Sequence, residues 1–97
     1  MKAVKKIEIV VNSLELDTFI ASLEKIGIRQ YTILPNAQGA GNQGRQRDDD
    51  VTGCSQNSYL FTTCSAEEVP KLIEKIRPFL KRHHGVCLVS DAEWVIH

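Results

Sequence analysis

The sequence predicts an α+β sandwich built from two similar β-α-β halves, and two patterns carry this prediction. In several segments apolar residues alternate with polar ones, which is typical of strands in a sheet with one buried face. Between these segments apolar residues recur at three- and four-residue spacing, as in helices that cover such a face. The resulting order, β-α-β, a long loop and β-α-β, is the antiparallel ferredoxin-like arrangement βαββαβ.

The first half begins with a strand over Val4–Val11, which is rich in β-branched residues. Asn12 and Ser13 offer caps for a helix that follows. The apolar stripe of that helix consists of Leu16, Phe19, Ile20, Leu23 and Ile26. Gly27 is well placed to end the helix in a left-handed turn.

A second strand is predicted at Tyr31–Leu34, where Pro35 should stop or bend it because proline donates no ladder hydrogen bond. The following stretch, Asn36–Asn57, is rich in glycine and charge and almost lacks large apolar residues. An insertion of this length in a compact chain is normally functional or mobile. We therefore expect a long flexible loop at about residues 38–57.

The second half repeats the pattern with a strand at Ser58–Cys64. Ser65 and Glu68 then form a capping-box signature for a second helix. The apolar stripe of this helix consists of Val69, Leu72, Ile73, Ile76 and Leu80. Pro78 should bend or end the helix.

Two segments close the chain. Val86–Val89 is a continuous apolar run, which predicts a buried central strand, and Trp94–Ile96 predicts a short strand or edge segment. The sheet should have one helix-covered face and one open face. The open face would carry Glu8 and Tyr31 and could be buried against copies of the same chain, so we expect a compact oligomer.

Length and charge exclude some classes of function. The chain has 97 residues, which is enough for one domain spanning residues 1–97. Its net charge is zero, so it lacks the bulk electrostatic attraction of a basic domain for nucleic acid. Cys54, Cys64 and Cys87 are odd in number and form no CxxC motif. With a charged N-terminus that lacks an apolar signal segment, they predict a reduced cytoplasmic protein.

The residues offer no enzyme signature and no strong metal signature. The carboxylates cluster at Asp48–Asp50 or lie scattered on helix surfaces, where they are more often solvated than catalytic. His83, His84 and Cys87 are close in sequence, but their spacing matches no known zinc motif. We therefore predict no catalytic residues and no metal site.

Anion binding is the better candidate. The run Gly39–Gly44 lets the backbone approach a phosphate closely, although a mobile glycine-rich loop explains it equally well. The cationic segment Lys81–Gly85 is a second half-site, or simply a solvated helix C-terminus. In a fold with two equivalent halves these segments can converge across a subunit boundary, which favours a phosphate-binding cleft between subunits.

The chain resembles the PII signal-transduction superfamily over nearly its whole length. Lys5–Val11 followed by Leu16-Asp17 is similar to the family's first strand and helix start, and Gly39-x-Gly41 stands where the family begins its T-loop. The strongest match is Gly85–Ile96, which resembles the family's B-loop, fourth strand and Ser-Asp-x-Glu-x-Val-Ile segment.

This resemblance implies a homotrimer whose inter-subunit clefts bind adenine nucleotides, with a T-loop that docks onto a target and a B-loop at about residues 81–86. Thr32 and Thr63 would face the adenine, and the T-loop base would meet the phosphates. The nucleotide-binding residues assigned on this basis are Thr32, Gly39, Gly41, Asn42, Gln43, Thr63, Arg82, His83, His84, Gly85 and His97.

The sequence departs from the nitrogen-sensing members of the family. His83-His84-Gly85-Val86 stands where those members have Gly-Asp-Gly-Lys, so the phosphate-binding lysine is missing, and regular members run on to basic residues beyond the position of His97. Each charge-assisted contact contributes about 1.5–3 kcal/mol. We therefore expect ADP or AMP to be favoured over ATP, with no response to 2-oxoglutarate.

The combination of Tyr31–Pro35, a T-loop rich in Gly, Arg and Asp, and the close at Gly85–His97 looks most like the PII-like proteins linked to carboxysomes and inorganic-carbon uptake. That subgroup implies a bicarbonate ligand, for which the guanidinium groups of Arg45 and Arg47, or of Arg82, are candidate partners. The implied function is a non-enzymatic regulator whose T-loop docks onto a membrane-associated carbon transporter or another target, with no nucleic-acid partner.

Several alternatives stay open. The first is a trimeric divalent-metal-binding protein similar to the CutA family, and the second is a nitrogen-type PII regulator. The third alternative is a small enzyme that acts on a nucleotide in the same cleft. The fourth is a purely structural trimer. Nucleotide and metal titrations separate these possibilities.

Overall fold

The computed structural model describes residues 1–37 and 56–96. Four strands are present in this part of the chain: β1 (Lys2–Asn12), β2 (Thr32–Ala37), β3 (Asn57–Cys64) and β4 (Val86–Trp94). The helices are α1 (Leu16–Lys25) and α2 (Val69–His83), preceded by 3-10 turns at Ser13–Glu15 and Ala66–Glu68. The strands form one antiparallel sheet in the order β2-β3-β1-β4, so the predicted βαββαβ sandwich is confirmed. Most of the predicted loop, residues 38–55, lies outside the described residues.

The core lies between the sheet and the two helices. On β1, Ile7 and Ile9 are fully buried, and Leu60 beside them on β3 is equally inaccessible. The helices contribute fully buried Phe19 and Leu23 from α1, with Leu72 and Ile76 from α2. Burying one such side chain stabilises the fold by about 1.5–3 kcal/mol relative to leaving it exposed.

The predicted helix boundaries are confirmed at several positions. Asn12 Oδ1 accepts a hydrogen bond from the Leu14 backbone N–H at 2.8 Å. Gly27 follows α1 with φ +97°, a left-handed conformation that glycine adopts at little cost. Before α2, the Glu68 carboxylate accepts hydrogen bonds at 3.0 Å from both the backbone N–H and the hydroxyl of Ser65. The local sequence thus determines where both helices begin.

Pro35 in β2 and Pro78 in α2 have different effects on their elements. Near Pro35 the pairing of β2 with β3 shifts register between Leu34 and Ala37, so the strand is bent, as predicted, and continues to Ala37. Pro78 does not end α2, which runs on to His83. The next residue, Phe79, packs against Phe19 of α1 with ring centroids 4.9 Å apart and ring planes tilted by 46°.

Two predictions about the sheet faces are wrong. β4 is an edge strand instead of a central buried one, and Val86 and Leu88 are 52% and 60% exposed. Its apolar run reflects residues that alternate onto a sheet face that no helix covers. Tyr31 does not lie on that face, because it packs against the helix-side core and its hydroxyl donates to Glu24 of α1 at 3.2 Å.

No helix in residues 1–37 or 56–96 is both long enough and apolar enough to cross a membrane.

Candidate functional site

The structure brings together the two predicted adenine-facing threonines. Thr32 pairs with Phe61 across β2 and β3, and Thr63 lies two residues further along β3. Because side chains on a strand alternate between faces, both threonines lie on the sheet face that the helices leave uncovered, which we call the open face. They are diagonal neighbours at the β2 side of the sheet.

The cationic half of the predicted site adopts a more helical structure than expected. Lys81, Arg82 and His83 form the last turn of α2, so only His84 and Gly85 connect α2 to β4. We call these two residues the α2–β4 junction. His84 has left-handed φ and ψ angles of 56° and 36°, and the Gly85 backbone N–H donates to the Leu80 carbonyl at 2.9 Å. The predicted B-loop at residues 81–86 is therefore mostly helix end and strand start.

Gly85 has a packing role that its sequence context did not reveal. A Cβ atom at this position would lie 2.7 Å from Leu80 Cδ2 and 3.2 Å from the Val10 carbonyl oxygen. Both distances are too short for normal contact, and the carbonyl belongs to a paired strand that cannot move freely. The glycine lets the chain pass closely over β1, whether or not a ligand binds there.

We expect Gly85→Ala to destabilise the fold by about 1–3 kcal/mol, the usual cost of overpacking. Chemical denaturation followed by circular dichroism measures this difference. Ala92→Gly, at a partly buried position within β4, is a control for the cost of exchanging alanine and glycine in the strand that follows the junction. An unchanged denaturation midpoint for Gly85→Ala would show that the contact with Leu80 relaxes freely.

The His83 side chain is turned toward the first half of the fold. Its ring packs against Phe79 with centroids 4.4 Å apart and ring planes tilted by 47°, and its Nδ1 lies 3.6 Å from Glu15 Oε1. Arg82, by contrast, is exposed. Among the described residues assigned to phosphate binding, Arg82 and the junction backbone therefore have the more accessible positions.

The two halves of the predicted site lie at opposite edges of the sheet. Thr32 is on β2 and Gly85 adjoins β4, and these strands are separated by β3 and β1. Three strand spacings amount to about 14 Å. One protomer therefore does not bring both halves onto the same small ligand group, whereas the β2 side of one copy and the β4 side of another could do so.

The remaining assigned residues lie outside the part of the chain that the structure describes. These are Gly39, Gly41, Asn42, Gln43, Arg45, Arg47 and His97.

The open face carries a polar cluster that the sequence prediction missed. Tyr59 donates a hydrogen bond to Glu8 Oε2 at 2.6 Å, and Lys6 Nζ lies 3.9 Å from the same oxygen. Lys6 also lies 5.1 Å from the centroid of the Phe61 ring. The alternation within each strand placed these residues on one face, but only the register of β1 against β3 brings them into contact.

The Tyr59–Glu8 hydrogen bond raises the pKa of the Tyr59 hydroxyl, with smaller contributions from burial and from the negative charge of Glu8. A raised pKa in the folded state means that the bond stabilises the protein at neutral pH and is lost as pH rises through the folded value, above about pH 10. We expect the melting temperature of the wild type to fall more steeply above pH 9–10 than that of Tyr59→Phe. Identical slopes in differential scanning calorimetry would contradict this expectation.

The described cysteines are placed as core residues. Cys64 is buried and Cys87 is partly buried, and burial raises the pKa of both thiols, which lowers their reactivity at neutral pH. Within residues 1–37 and 56–96, no group of three or more His, Cys, Asp or Glu side chains is arranged to hold a metal ion.

Both the sequence and the fold of this chain are similar to those of known proteins. The family model described as nitrogen regulatory protein P-II matches residues 4–96. No curated protein matches the sequence.

Several solved structures are similar over nearly the whole chain. CPII, a nitrogen regulatory PII-like protein from Thiomonas intermedia K12, bound to ADP, AMP and bicarbonate, has 25% sequence identity and a TM-score of 0.79, covering 98% of this chain and 96% of that chain. CPII bound to ADP and bicarbonate has 26% identity and a TM-score of 0.76, covering 95% and 88%. The apo form of CPII has 25% identity and a TM-score of 0.77, covering 95% and 91%. With a family match over residues 4–96 and the fold described above, this chain belongs to the nitrogen regulatory protein P-II family.

Proposed function

We propose that this protein is a non-enzymatic, trimeric signalling protein that binds adenine nucleotides and bicarbonate in clefts between its subunits. The T-loop, at about residues 38–57, would then regulate inorganic-carbon uptake by docking onto a transporter or another target. The observation that carries the proposal is the placement of the two half-sites at opposite edges of one sheet, since a shared ligand then requires two subunits.

The open face supports assembly of several copies. Leu34, Leu88 and Trp94 are 58%, 60% and 50% exposed there, on strands at both edges of the sheet. Large apolar side chains that stay exposed on a sheet face are typical of surfaces that bind another protein chain. Packing three such faces together would bury these side chains and bring the β2 side of one subunit close to the β4 side of the next.

The ligand class is supported by the similar structures of CPII, which contain ADP, AMP and bicarbonate in different combinations. In this chain, the hydroxyls of Thr32 and Thr63 are suited to the edge of an adenine ring. Arg82 and the backbone of the α2–β4 junction are suited to one or two phosphates. Arg45 and Arg47 remain our candidates for bicarbonate, because guanidinium groups match planar oxyanions.

The preference for ADP or AMP follows from charge. The segment His83–Val86 contains no lysine, and His83 is already held between Phe79 and Glu15. A triphosphate needs more neutralising contacts than a diphosphate, and each charge-assisted contact is worth about 1.5–3 kcal/mol. We therefore propose that ATP binds more weakly than ADP or AMP.

Calorimetric titration of AMP, ADP and ATP, each with and without bicarbonate, tests the proposal. Tighter ADP or AMP binding in bicarbonate would establish the two as coupled ligands, because linkage between binding sites is reciprocal. Nucleotide binding that is indifferent to bicarbonate would leave an adenylate sensor without the carbon connection. An absence of heat with all three nucleotides would overturn the proposed function.

A matched pair of variants locates the site. Thr63→Val removes a hydroxyl on the open face and should weaken ADP binding about 5- to 15-fold, the value of one hydrogen bond of about 1–1.5 kcal/mol. Thr18→Val removes an exposed hydroxyl from α1 and should leave ADP affinity unchanged. Equal affinities for all three proteins would exclude Thr63 from the site.

A further inference from the structure

We infer that the first 3-10 turn, Ser13–Glu15, is a positioning element that connects the α2–β4 junction with residues Gln56–Ser58, which we call the loop stem. The loop stem is where the chain returns to the sheet at the start of β3. The part of this inference that involves a nucleotide rests on the proposed function. The mechanical connection itself can be tested without any ligand.

On one side, the turn holds the loop stem through Ser13. The Ser13 backbone N–H donates to the Gln56 carbonyl at 2.8 Å, and the Ser13 and Ser58 hydroxyls lie 2.8 Å apart. Ser58 is only 1% exposed. The buried hydroxyl of Ser58 would be costly to leave without a partner, so the pair restrains both segments.

On the other side, the turn holds the end of α2 through Glu15. Glu15 Oε1 lies 3.6 Å from His83 Nδ1. The His83 ring packs against Phe79, which in turn packs on the fully buried Phe19 of α1. His83 is therefore held from two directions, and the α2–β4 junction follows it directly in the chain.

The turn is short and internally braced, so its two contacts should move together. Asn12 Oδ1 accepts the Leu14 N–H at 2.8 Å, and α1 begins directly after Glu15. Only Leu14 separates the residue that holds the loop stem from the residue that holds His83. A displacement of His83 therefore changes the position of Glu15 and, through the turn, the hydrogen bond between Ser13 and Gln56.

The consequence is a direct route between the α2–β4 junction and the loop stem within one protomer. A phosphate bound at His84–Gly85 would shift the end of α2 and alter the restraint on the loop stem. By reciprocity, a partner that fixes the loop stem would alter phosphate affinity at the junction. In this scheme the Glu15 side chain touches neither the bound phosphate nor the partner at the loop stem, so Glu15 is a positioning residue.

Amide hydrogen exchange at Ser13 tests the connection in the ligand-free protein. We expect Glu15→Ala and His83→Ala each to speed Ser13 exchange about two- to fivefold, as expected for the loss of one weak, partly exposed polar contact, while the core amide of Ile9 is unchanged. The double variant should exchange no faster than either single variant, because the two residues act in one contact. Glu74→Ala, on the exposed face of α2, is the matched control and should have no effect.

The outcomes are decisive in either direction. Unchanged Ser13 exchange in both single variants, additive effects in the double variant, or a parallel rise at Ile9 would each overturn the connection. In a second arm, ADP should slow Ser13 exchange in the wild type but not in Glu15→Ala, although ADP still binds to that variant. If ADP still slows Ser13 exchange in Glu15→Ala, the inference is also overturned. If ADP does not bind to the wild type, the proposed function is overturned, and the ligand-free experiment alone decides whether the turn connects the two segments.

Discussion

Leu88→Arg is expected to convert the proposed trimer into monomers without unfolding the protomer. Leu88 is 60% exposed on the open face and lies directly opposite Glu8 on β1. An arginine here can pair with Glu8 within one subunit, which favours the folded monomer. In the assembly, however, the added charge would have to be buried, at a cost of several kcal/mol.

Each 1.4 kcal/mol weakens association about tenfold, so the expected change in the dissociation constant is at least a hundredfold. Sedimentation velocity over a range of protein concentrations measures it. Leu14→Arg is the matched control, because Leu14 is 70% exposed in the 3-10 turn and lies outside the sheet. A Leu88→Arg protein that sediments like the wild type would show that the open face is not the interface.

Phe19→Ala is expected to have the largest effect on stability. Phe19 is fully buried and packs against Phe79, which lies near the end of α2. Removing a buried phenylalanine ring costs about 3–5 kcal/mol. A domain of this size has about 5–15 kcal/mol of total stability, so the variant should lose a large share of it and unfold at a much lower temperature than the wild type.

Thermal unfolding followed by circular dichroism measures this effect, and Phe19→Leu, which keeps most of the buried volume, should lose much less. Phe19→Leu keeps an apolar side chain beside Phe79, whereas Phe19→Ala does not. The difference between the two variants therefore measures how much stability depends on the support of Phe79. A melting temperature for Phe19→Ala within about 5 °C of the wild type, equivalent to roughly 1 kcal/mol, would contradict the central position of this ring.

The sequence was sufficient to predict the fold because its signals are local. The alternation in β1 and the capping box at Ser65 depend only on residues close in the chain, and the structure confirms both. β4 was placed wrongly because an apolar run does not reveal whether its strand lies in the centre or at the edge of the sheet. Pro78 was expected to bend or end α2, and the helix does not end there but continues to His83, beside the contact between Phe79 and Phe19.

The site was harder to predict because it depends on register and on distant contacts. The sequence could place Thr32 and Thr63 on strands, but only the pairing of β2 with β3 makes them neighbours. Nothing near His83 indicates that it approaches Glu15, which precedes it by 68 residues. The same is true of Glu8 and Tyr59, whose hydrogen bond depends on the relative alignment of two strands.

The bend at Pro35 affects how copies of this chain can meet. β2 is an edge strand, and edge strands with free backbone donors and acceptors readily add a strand from another molecule. Pro35 removes one donor, and Asn36, with φ 61°, turns the next peptide out of the strand plane. This edge is therefore a poor template for open-ended growth into fibrils, and association is directed toward closed assemblies of limited size.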